Sequence, residues 1–451
     1  FYLNKENLKT YFDKIYFCAG ARNAALYDFF QCEKEMLIDE RMAAFMALGE
    51  AKRGQKIAIC TTSGTAVLEC LPALCEAYYS GVHLTLISGD RPRALKDSGA
   101  PQTIDQLSSI KPFTHKQIDT ESLENIELVE GVNHINIHLG NSSDKELNDF
   151  DISSYKKTLF LFSHGMDDFD KMHEIISAKT DLFYFEVLTG LGHKNIIPNE
   201  RALIRLYEAG KIDSIIRIGH TPLSKLWRVI DAAPVPVLHL DPRGYKGLSF
   251  GKLHRYNANE VIEFLEQISI EKVAYIGEHD TLKLDKYPAS QYAYIHALAQ
   301  NLEENAHLYL GNSSLIRDFE IAYKKPANFY ANRGVNGIDG QLASAIGIAK
   351  NLDSELHICL GDLTFEYDLS ALKYLPKNAK VYIFNNYGGR IFERVDVPKD
   401  IIMSHKNNFK EVVEGFGLDY KEFKSTMFNM DHVISEFSID PGQTLNLFKE
   451  I

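Results

Sequence analysis

Apolar residues in this chain occur in short runs separated by longer amphipathic stretches, and this pattern predicts alternating strands and helices. In the first 150 residues, the predicted strands and helices cover 14–18, 22–30, 36–39, 40–53, 56–61, 65–79 and 83–88. Strands that alternate with helices form a parallel sheet with helices on both faces. The first region is therefore predicted to be a Rossmann-like α/β domain.

The same alternation continues in two further regions. Predicted strands lie at 158–163, 182–186, 214–218, 235–240, 307–310, 356–360 and 381–384, with a helix at 341–351. A polar stretch at 141–157 and a charged, less periodic stretch near 271–288 separate the regions. We therefore predict an α/β protein of three Rossmann-like parallel-sheet domains at 1–150, 151–275 and 276–451, the middle one short.

Composition excludes several classes of protein. A net charge of −12 argues against nucleic acid as a partner, and means that an anionic ligand must be drawn by local clusters of Arg and Lys. No apolar run is long enough to span a bilayer, and the opening residues lack the pattern of a signal peptide. The six cysteines show no metal-binding spacing, which predicts reduced thiols in a cytoplasmic protein.

Two predicted strands end in residues that suit a hard cation. Asp362 follows the strand at 356–360, and Asn386 and Gly388 follow the strand at 381–384. Open α/β sheets bind ligands at these strand ends. A carboxylate, an amide oxygen and a backbone carbonyl suit Mg²⁺ or Mn²⁺, with phosphate and water completing the shell. Taken singly, Asp362 also fits a helix N-cap and Asn-Tyr-Gly fits a turn, but together they favour a metal-anchored diphosphate.

This pattern resembles the cofactor motif of the pyruvate oxidase/decarboxylase-like enzymes, which bind thiamine diphosphate. The resemblance implies a pyrimidine-binding, a middle and a diphosphate-binding domain, and a glutamate beside the aminopyrimidine ring. Glu40 fits that role, although Asp39 as an N-cap and Glu40 in the first turn would also simply favour the helix dipole. The resemblance further implies a homodimer or homotetramer with active sites at the subunit interface, where Glu40 of one chain reaches the cofactor bound by Asp362 of the other.

Several longer stretches are similar to one family within this class. They are Thr62-Ser63-Gly64-Thr65-Ala66, Gly89-Asp90-Arg91-Pro92, the segment 97–104, Gly311-Asn312-Ser313-Ser314 and the segment 332–340. They resemble the 2-succinyl-5-enolpyruvyl-6-hydroxy-3-cyclohexene-1-carboxylate (SEPHCHC) synthase (MenD) family of menaquinone biosynthesis. The resemblance implies a transferase that decarboxylates 2-oxoglutarate and adds the succinyl carbanion to isochorismate in a Stetter-type 1,4-addition.

Individual site residues follow from this resemblance. Ile338 is expected beneath the bent cofactor, and the substrate carboxylates call for arginine, whose planar fork binds them in two places. The expected substrate-binding residues are Arg22, Arg91, Gln102, Lys225, Ser313, Arg317, Arg333, Ile391 and Phe392. For Ile391 and Phe392, a place in the hydrophobic core is an equal alternative. The chain departs from the family pattern at Ala21, Pro101 and Leu226, which removes a hydroxyl, an amide and a basic side chain.

Other interpretations remain open at this point. One is another thiamine-diphosphate-dependent decarboxylase or carboligase that acts on a different 2-keto acid. A second is a non-catalytic protein of the same fold that serves as a binding subunit. A Rossmann dehydrogenase is a third, but Gly20-Ala21-Arg22-Asn23 does not carry the glycine fingerprint that this class needs.

Overall fold

The computed structural model describes residues 2–96, 98–140, 154–223, 235–243, 252–254, 256–270, 272–275 and 282–451. These residues form three all-parallel sheets with flanking helices, which confirms the predicted α/β class. A short strand, β1 (Tyr2–Asn4), pairs antiparallel with β7 (Asn125–Glu127). Among the described residues, no helix is long and apolar enough to cross a membrane. Most of the predicted linker at 141–157 lies outside the described residues.

The first sheet has six strands in the spatial order β3-β2-β4-β5-β8-β6. Its strands are β2 (Lys14–Cys18), β3 (Glu33–Leu37), β4 (Ile57–Thr61), β5 (Leu84–Asp90), β6 (Lys116–Thr120) and β8 (Val132–His138). The helices of this part of the chain are α1 (Lys5–Lys9), α2 (Ala24–Tyr27), α3 (Glu40–Ala51), α4 (Thr65–Glu69), α5 (Leu71–Ser80) and α6 (Gln106–Ile110).

The second sheet has five strands in the order β10-β9-β11-β12-β13. Its strands are β9 (Thr158–Phe162), β10 (Phe183–Phe185), β11 (Ser214–Ile218), β12 (Val237–Leu240) and β13 (Lys252–His254). The described helices that accompany it are α7 (Phe169–Lys179), α8 (Glu200–Glu208) and α9 (Ala258–Gln267).

The third sheet has six strands in the order β15-β14-β16-β17-β19-β18. Its strands are β14 (Ala306–Leu310), β15 (Ala327–Tyr330), β16 (Leu356–Gly361), β17 (Ala379–Asn385), β18 (Tyr420–Phe423) and β19 (Ile434–Ser438). Its helices are α10 (Gln291–Asn301), α11 (Ser314–Ala322), α12 (Gln341–Ala349), α13 (Asp362–Tyr367), α14 (Lys410–Gly415) and α15 (Pro441–Glu450).

The first and third sheets share one topology. When the strands of each sheet are numbered by their order along the chain, both sheets have the spatial order 2-1-3-4-6-5. Each sheet is covered on both faces by its own apolar clusters, which explains the continuous apolar strands. The two outer domains therefore have the same sheet topology, and both sheets present the carboxyl ends of equivalent strands for ligand binding.

Three predicted elements differ from the structure for local reasons. The predicted strand at 36–39 is β3, which begins at Glu33 and lies at the sheet edge, so its charged first half hides it from an apolar pattern. The predicted helix at 65–79 is divided into α4 and α5 at Cys70. Pro72 causes the break, because it lacks an N–H group and its ring clashes with the preceding turn. The predicted helix at 22–30 is reduced to α2.

Candidate active site

The two strand ends that were predicted to hold a cation are neighbours in the third sheet. β16 and β17 are paired in parallel, so Asp362 and Asn386 emerge at the same edge. The backbone N–H of Gly388 donates a hydrogen bond to Oδ2 of Asp362 at 2.7 Å. The structure therefore brings Asp362, Asn386 and Gly388 together as the sequence predicts.

The donor set at this edge fits Mg²⁺ or Mn²⁺. Asn386 is 7% exposed, and its Oδ1 atom is buried without a hydrogen-bond partner among the described residues. The carbonyl of Gly388 accepts one hydrogen bond, from the N–H of Arg390 at 2.8 Å, and keeps a second lone pair. In the described part of the chain, no cluster of three or more His, Cys, Asp or Glu side chains could hold a metal ion. The fit therefore depends on the amide and carbonyl oxygens beside Asp362, which are typical ligands of hard cations.

The backbone conformation at position 388 requires glycine, independently of any role as a ligand. Its φ of +132° lies in a region that L side chains rarely adopt. A Cβ atom there would lie 2.7 Å from the carbonyl oxygen of Ile402 and 2.9 Å from that of Met403. A side chain would therefore push this loop away from the segment that contains Ile402.

We predict that Gly388→Ala lowers the melting temperature and weakens Mn²⁺ binding in the presence of thiamine diphosphate. Strain of this kind costs on the order of 1–3 kcal/mol, and the shifted carbonyl loses its place in the donor set. Gly347→Ala is the matched control, because a Cβ there meets nothing within 4 Å and Gly347 lies in α12. Thermal denaturation and Mn²⁺ titration would contradict the prediction if the two variants behaved alike.

His405 was not predicted from the sequence and lies directly on Asp362. Its Nε2 atom is 2.8 Å from Oδ2 of Asp362, and this hydrogen bond is the main reason why the pKa of His405 is raised. The two residues are 43 positions apart, and His405 is outside any strand or helix. No pattern in the sequence could have indicated this contact.

Glu40 begins α3, and its buried side chain contacts α13 of the third domain through Tyr367. Asp39 caps the helix by accepting from the N–H of Met42, so the helix-capping interpretation of this segment is correct as well. Burial raises the pKa of Glu40 to about 7, although a hydrogen bond from the hydroxyl of Tyr367 partly opposes the shift. That hydrogen bond is 3.0 Å long, and Tyr367 ends the helix that Asp362 begins. Glu40 therefore contacts α13, the metal-motif helix that begins with Asp362, within one chain. Its expected contribution to a second chain's site stays a prediction.

Three of the expected substrate-binding residues converge on one loop of the first domain. Nε of Arg91 and Nη2 of Arg22 both donate to the carbonyl of Pro101, at 2.9 and 3.3 Å. Arg22 also donates to the side chain of Gln102. Gln102 has a φ of +56°, an uncommon conformation for a residue other than glycine. The structure thus places Arg22, Arg91 and Gln102 together.

A second group of expected substrate residues lies at the carboxyl end of β14. Ser313 has a φ of +73°, and its carbonyl accepts a hydrogen bond from Arg317. Nη1 of Arg333 donates to the side chain of Asn312 at 2.6 Å, whereas its Nε atom is buried without a partner in the described residues. Burial, followed by the nearby charge of Arg317, lowers the pKa of Arg333 to about 9. An oxyanion placed here would accept a hydrogen bond from the unpartnered Nε atom and would compensate the buried positive charge of Arg333.

Two hydrogen bonds connect these groups across the domains. The N–H of Gln102 donates to the carbonyl of Val335 at 2.9 Å, and the hydroxyl of Thr65 donates to Asp339 at 2.8 Å. Ile338 is half-buried in the loop between Val335 and Asp339. One region is therefore bordered by the two groups of arginines described above and by the expected cofactor residue Ile338.

The remaining expected residues have different outcomes. Lys225 lies outside the described residues. Phe392 is half-buried and packs, together with Ile401, against an apolar cluster of the first sheet. This contact supports the core interpretation of Phe392, while Ile391 is half-buried beside it.

The middle domain adds buried polar groups that sequence reasoning missed. His164 follows β9 and Glu186 follows β10, at the carboxyl edge of the second sheet, with 4.0 Å between Nδ1 and Oε2. Both ring nitrogens of His164 and Oε2 of Glu186 are buried without a hydrogen-bond partner in the described residues. Burial raises the pKa of Glu186 well above its ordinary value and lowers that of His164. His164 directly follows the predicted strand at 158–163 and Glu186 ends the predicted strand at 182–186, and these positions were the available signal.

The chain is similar to several known proteins. Residues 6–109 match the family described as "Thiamine pyrophosphate enzyme, N-terminal TPP binding domain". The 2-succinyl-5-enolpyruvyl-6-hydroxy-3-cyclohexene-1-carboxylate synthase of Bdellovibrio bacteriovorus is 29% identical, over 96% of this chain and 94% of that protein. The synthase of the same name from Bacteroides thetaiotaomicron is 28% identical, over 91% and 88%. A solved structure of a putative thiamin diphosphate-dependent enzyme from Mycobacterium smegmatis matches with a TM-score of 0.46 and 14% identity, over 96% of this chain and 97% of that one.

The curated relatives and the family match point in the same direction as the residues at the sheet edges. The chain is therefore a relative of the 2-succinyl-5-enolpyruvyl-6-hydroxy-3-cyclohexene-1-carboxylate synthases, and its first domain is that of a thiamine pyrophosphate enzyme.

Proposed function

We propose that this chain is a SEPHCHC synthase that uses thiamine diphosphate and Mg²⁺ or Mn²⁺ to join 2-oxoglutarate and isochorismate in menaquinone biosynthesis. The observation that carries the proposal is the buried, unpartnered Oδ1 of Asn386 beside Asp362, because it supplies the missing ligand of a hard cation. The relatives named as synthases of this kind cover almost the whole chain. We also propose that the chain is divided into three domains at 1–150, 151–275 and 276–451.

Each group of residues then has a chemical task. Thiamine diphosphate, when bound, supplies the carbanion chemistry and the electron sink for decarboxylation. Asp362, Asn386 and the carbonyl of Gly388 would hold the cation and, through it, the diphosphate. Glu40, whose pKa is about 7, can hold a proton at the opposite end of the cofactor or give one up near neutral pH. Ile338 would support the bent cofactor between these two ends.

The substrate residues supply positive charge where the protein as a whole is negative. 2-Oxoglutarate and isochorismate are both dicarboxylates, so an acidic chain needs fixed cations at the site. Arg22 and Arg91 meet at the loop that contains Gln102, and Arg317 and Arg333 flank Ser313. Arg333 has an unpartnered Nε in a buried setting, so it is the strongest candidate for binding a carboxylate. We retain Lys225 and Ile391 as substrate-binding candidates.

The direct test is to incubate the purified chain with thiamine diphosphate, Mg²⁺, 2-oxoglutarate and isochorismate, and to follow the loss of isochorismate by ultraviolet absorbance. We expect a loss that requires all four components. CO₂ release from 2-oxoglutarate without loss of isochorismate would leave a thiamine diphosphate decarboxylase with a different acceptor. Absence of both signals, with the cofactor bound, would favour a non-catalytic binding subunit.

We also propose a homodimer or homotetramer in the cytoplasm. Exposed apolar side chains on α3 lie within two turns of Glu40: Met42, Phe45 and Met46. Tyr79 on α5 is 79% exposed and lines a groove with Phe45, which suits a second copy of the chain. All six cysteines are free thiols, as the cytoplasm favours.

A complementation experiment tests whether the active sites form between chains. The contacts of Glu40 with the metal-motif helix can be made within one chain or exchanged between two identical chains, as in domain swapping. We predict that a heterodimer of Glu40→Gln and Asp362→Asn chains, isolated with two affinity tags, has about half of the wild-type activity, because one of its two sites is intact. Each homodimeric variant serves as a control. An inactive heterodimer would show that Glu40 and Asp362 act within the same chain.

A further inference from the structure

A chain of buried side chains holds the amide nitrogen of Asn386. Nδ2 of Asn386 donates to Oε1 of Gln291 at 3.1 Å, and Nε2 of Gln291 donates to Oδ2 of Asp318 at 2.8 Å. Arg394 donates to both oxygens of Asp318, at 2.9 and 2.7 Å. Gln291 and Asp318 are at most 1% exposed. We call these four residues (Asn386, Gln291, Asp318 and Arg394) the amide relay.

The pairing of Arg394 with Asp318 determines which group donates and which accepts at each hydrogen bond of the amide relay. A carboxylate paired with a guanidinium only accepts hydrogen bonds, so Gln291 must turn its NH₂ group towards Asp318. The oxygen of Gln291 then faces Asn386 and accepts from its NH₂ group. Oδ1 of Asn386 is consequently directed away from the relay, which agrees with its buried and unpartnered state.

We propose that Gln291 and Asp318 are positioning residues that orient the Asn386 amide so that its oxygen, and not its nitrogen, faces the cation. This inference rests on the proposed function, since it concerns the metal of the same site. Asp318 lies on α11 next to Arg317, so the helix that would bind substrate also anchors the orientation of a metal ligand. Partners of metal ligands typically change metal affinity by about 10–100-fold when they are removed.

Two variants test the relay without altering a metal ligand. Gln291→Leu removes the acceptor that holds the Asn386 amide. Asp318→Leu removes the acceptor that fixes the direction of the Gln291 amide. Gln291, and Asn386 after it, are then free to turn over, which presents a nitrogen to the cation. We expect both variants to bind Mn²⁺ about 10–100-fold more weakly in the presence of thiamine diphosphate.

The readout is the dissociation constant of Mn²⁺, measured from the electron paramagnetic resonance of free Mn²⁺ at saturating thiamine diphosphate. Melting temperatures in metal-free buffer show whether each variant is folded. Gln117→Leu is the matched control, because Gln117 makes a hydrogen bond to the carbonyl of Leu107 outside the relay. Wild-type Mn²⁺ affinity in folded Gln291→Leu or in folded Asp318→Leu would overturn the relay while leaving the proposed function intact. Failure of the wild-type chain to bind Mn²⁺ with thiamine diphosphate would overturn the proposed function itself.

Discussion

Glu40→Gln should lower the rate of isochorismate loss by at least about a hundredfold, in line with the usual loss of an essential acid–base group. Glutamine keeps the shape of the side chain and can still accept the hydrogen bond from Tyr367, but it cannot hold or release a proton. The fold should therefore remain intact while turnover is lost. Initial rates at saturating cofactor measure this effect.

The same substitution should stabilise the cofactor-free chain above pH 7. The pKa of Glu40 rises from 4.5 to about 7 because the side chain is buried, so between these pH values the folded state binds more protons than the unfolded state. Stability from this group is therefore present at low pH and is lost as pH rises through about 7, by roughly 3 kcal/mol in total. Glutamine carries no charge at any pH, so the variant does not lose this stability.

Urea denaturation of the wild-type and Glu40→Gln chains at pH 5 and pH 8 would measure the difference. Glu50→Gln is the matched control, since Glu50 lies on the same helix and pairs with Lys14 at 3.3 Å outside the site. We expect Glu50→Gln to keep its activity. Near-normal turnover of Glu40→Gln would show that the cofactor site has been assigned to the wrong acid.

Asp362→Asn should weaken Mn²⁺ binding in the presence of thiamine diphosphate by at least about a hundredfold, more than the loss of a partner of a metal ligand. The substitution removes the only carboxylate of the expected donor set. The remaining oxygen of the side chain can still accept from the N–H of Gly388, so the loop should stay in place. The loss should therefore appear in metal and cofactor affinity and not in the melting temperature.

Isothermal titration of thiamine diphosphate with and without Mn²⁺ measures this effect. Asp353→Asn changes an exposed aspartate of the same domain and serves as the control. Metal-dependent cofactor binding within threefold of wild type would contradict the assignment of Asp362. It would also remove the basis for the role of the amide relay.

Local sequence was sufficient to place the candidate site residues at the ends of strands. Asp362 and Asn386 each follow an apolar strand, and Glu40 opens a helix behind a capping aspartate, so their positions could be predicted before the sheet was known. The alternation of strands and helices likewise predicted the parallel sheets, because strands covered on both faces are apolar throughout. The predicted bounds of the edge strand β3 were wrong, because an edge strand is not covered on both faces and therefore is not apolar throughout.

Contacts between distant parts of the chain could not be predicted from the sequence. Gln291 lies 95 positions before Asn386, His405 lies 43 positions after Asp362, and Tyr367 lies 327 positions after Glu40. None of these residues stands in a pattern that distinguishes it from an ordinary helix or loop residue. Their roles depend on which side chains the packed sheets bring within hydrogen-bonding distance.

The sequence by itself determined the fold class and the residue types at the carboxyl ends of the strands, because apolar periodicity and strand-end chemistry are local properties of a chain. Tertiary structure alone decided the burial that raises the pKa of Glu40, and the orientation of the Asn386 amide. It also brought Arg22 and Arg91 onto the carbonyl of Pro101. Desolvation and hydrogen-bond direction are set by neighbours in space, and those neighbours exist only once the three sheets have packed.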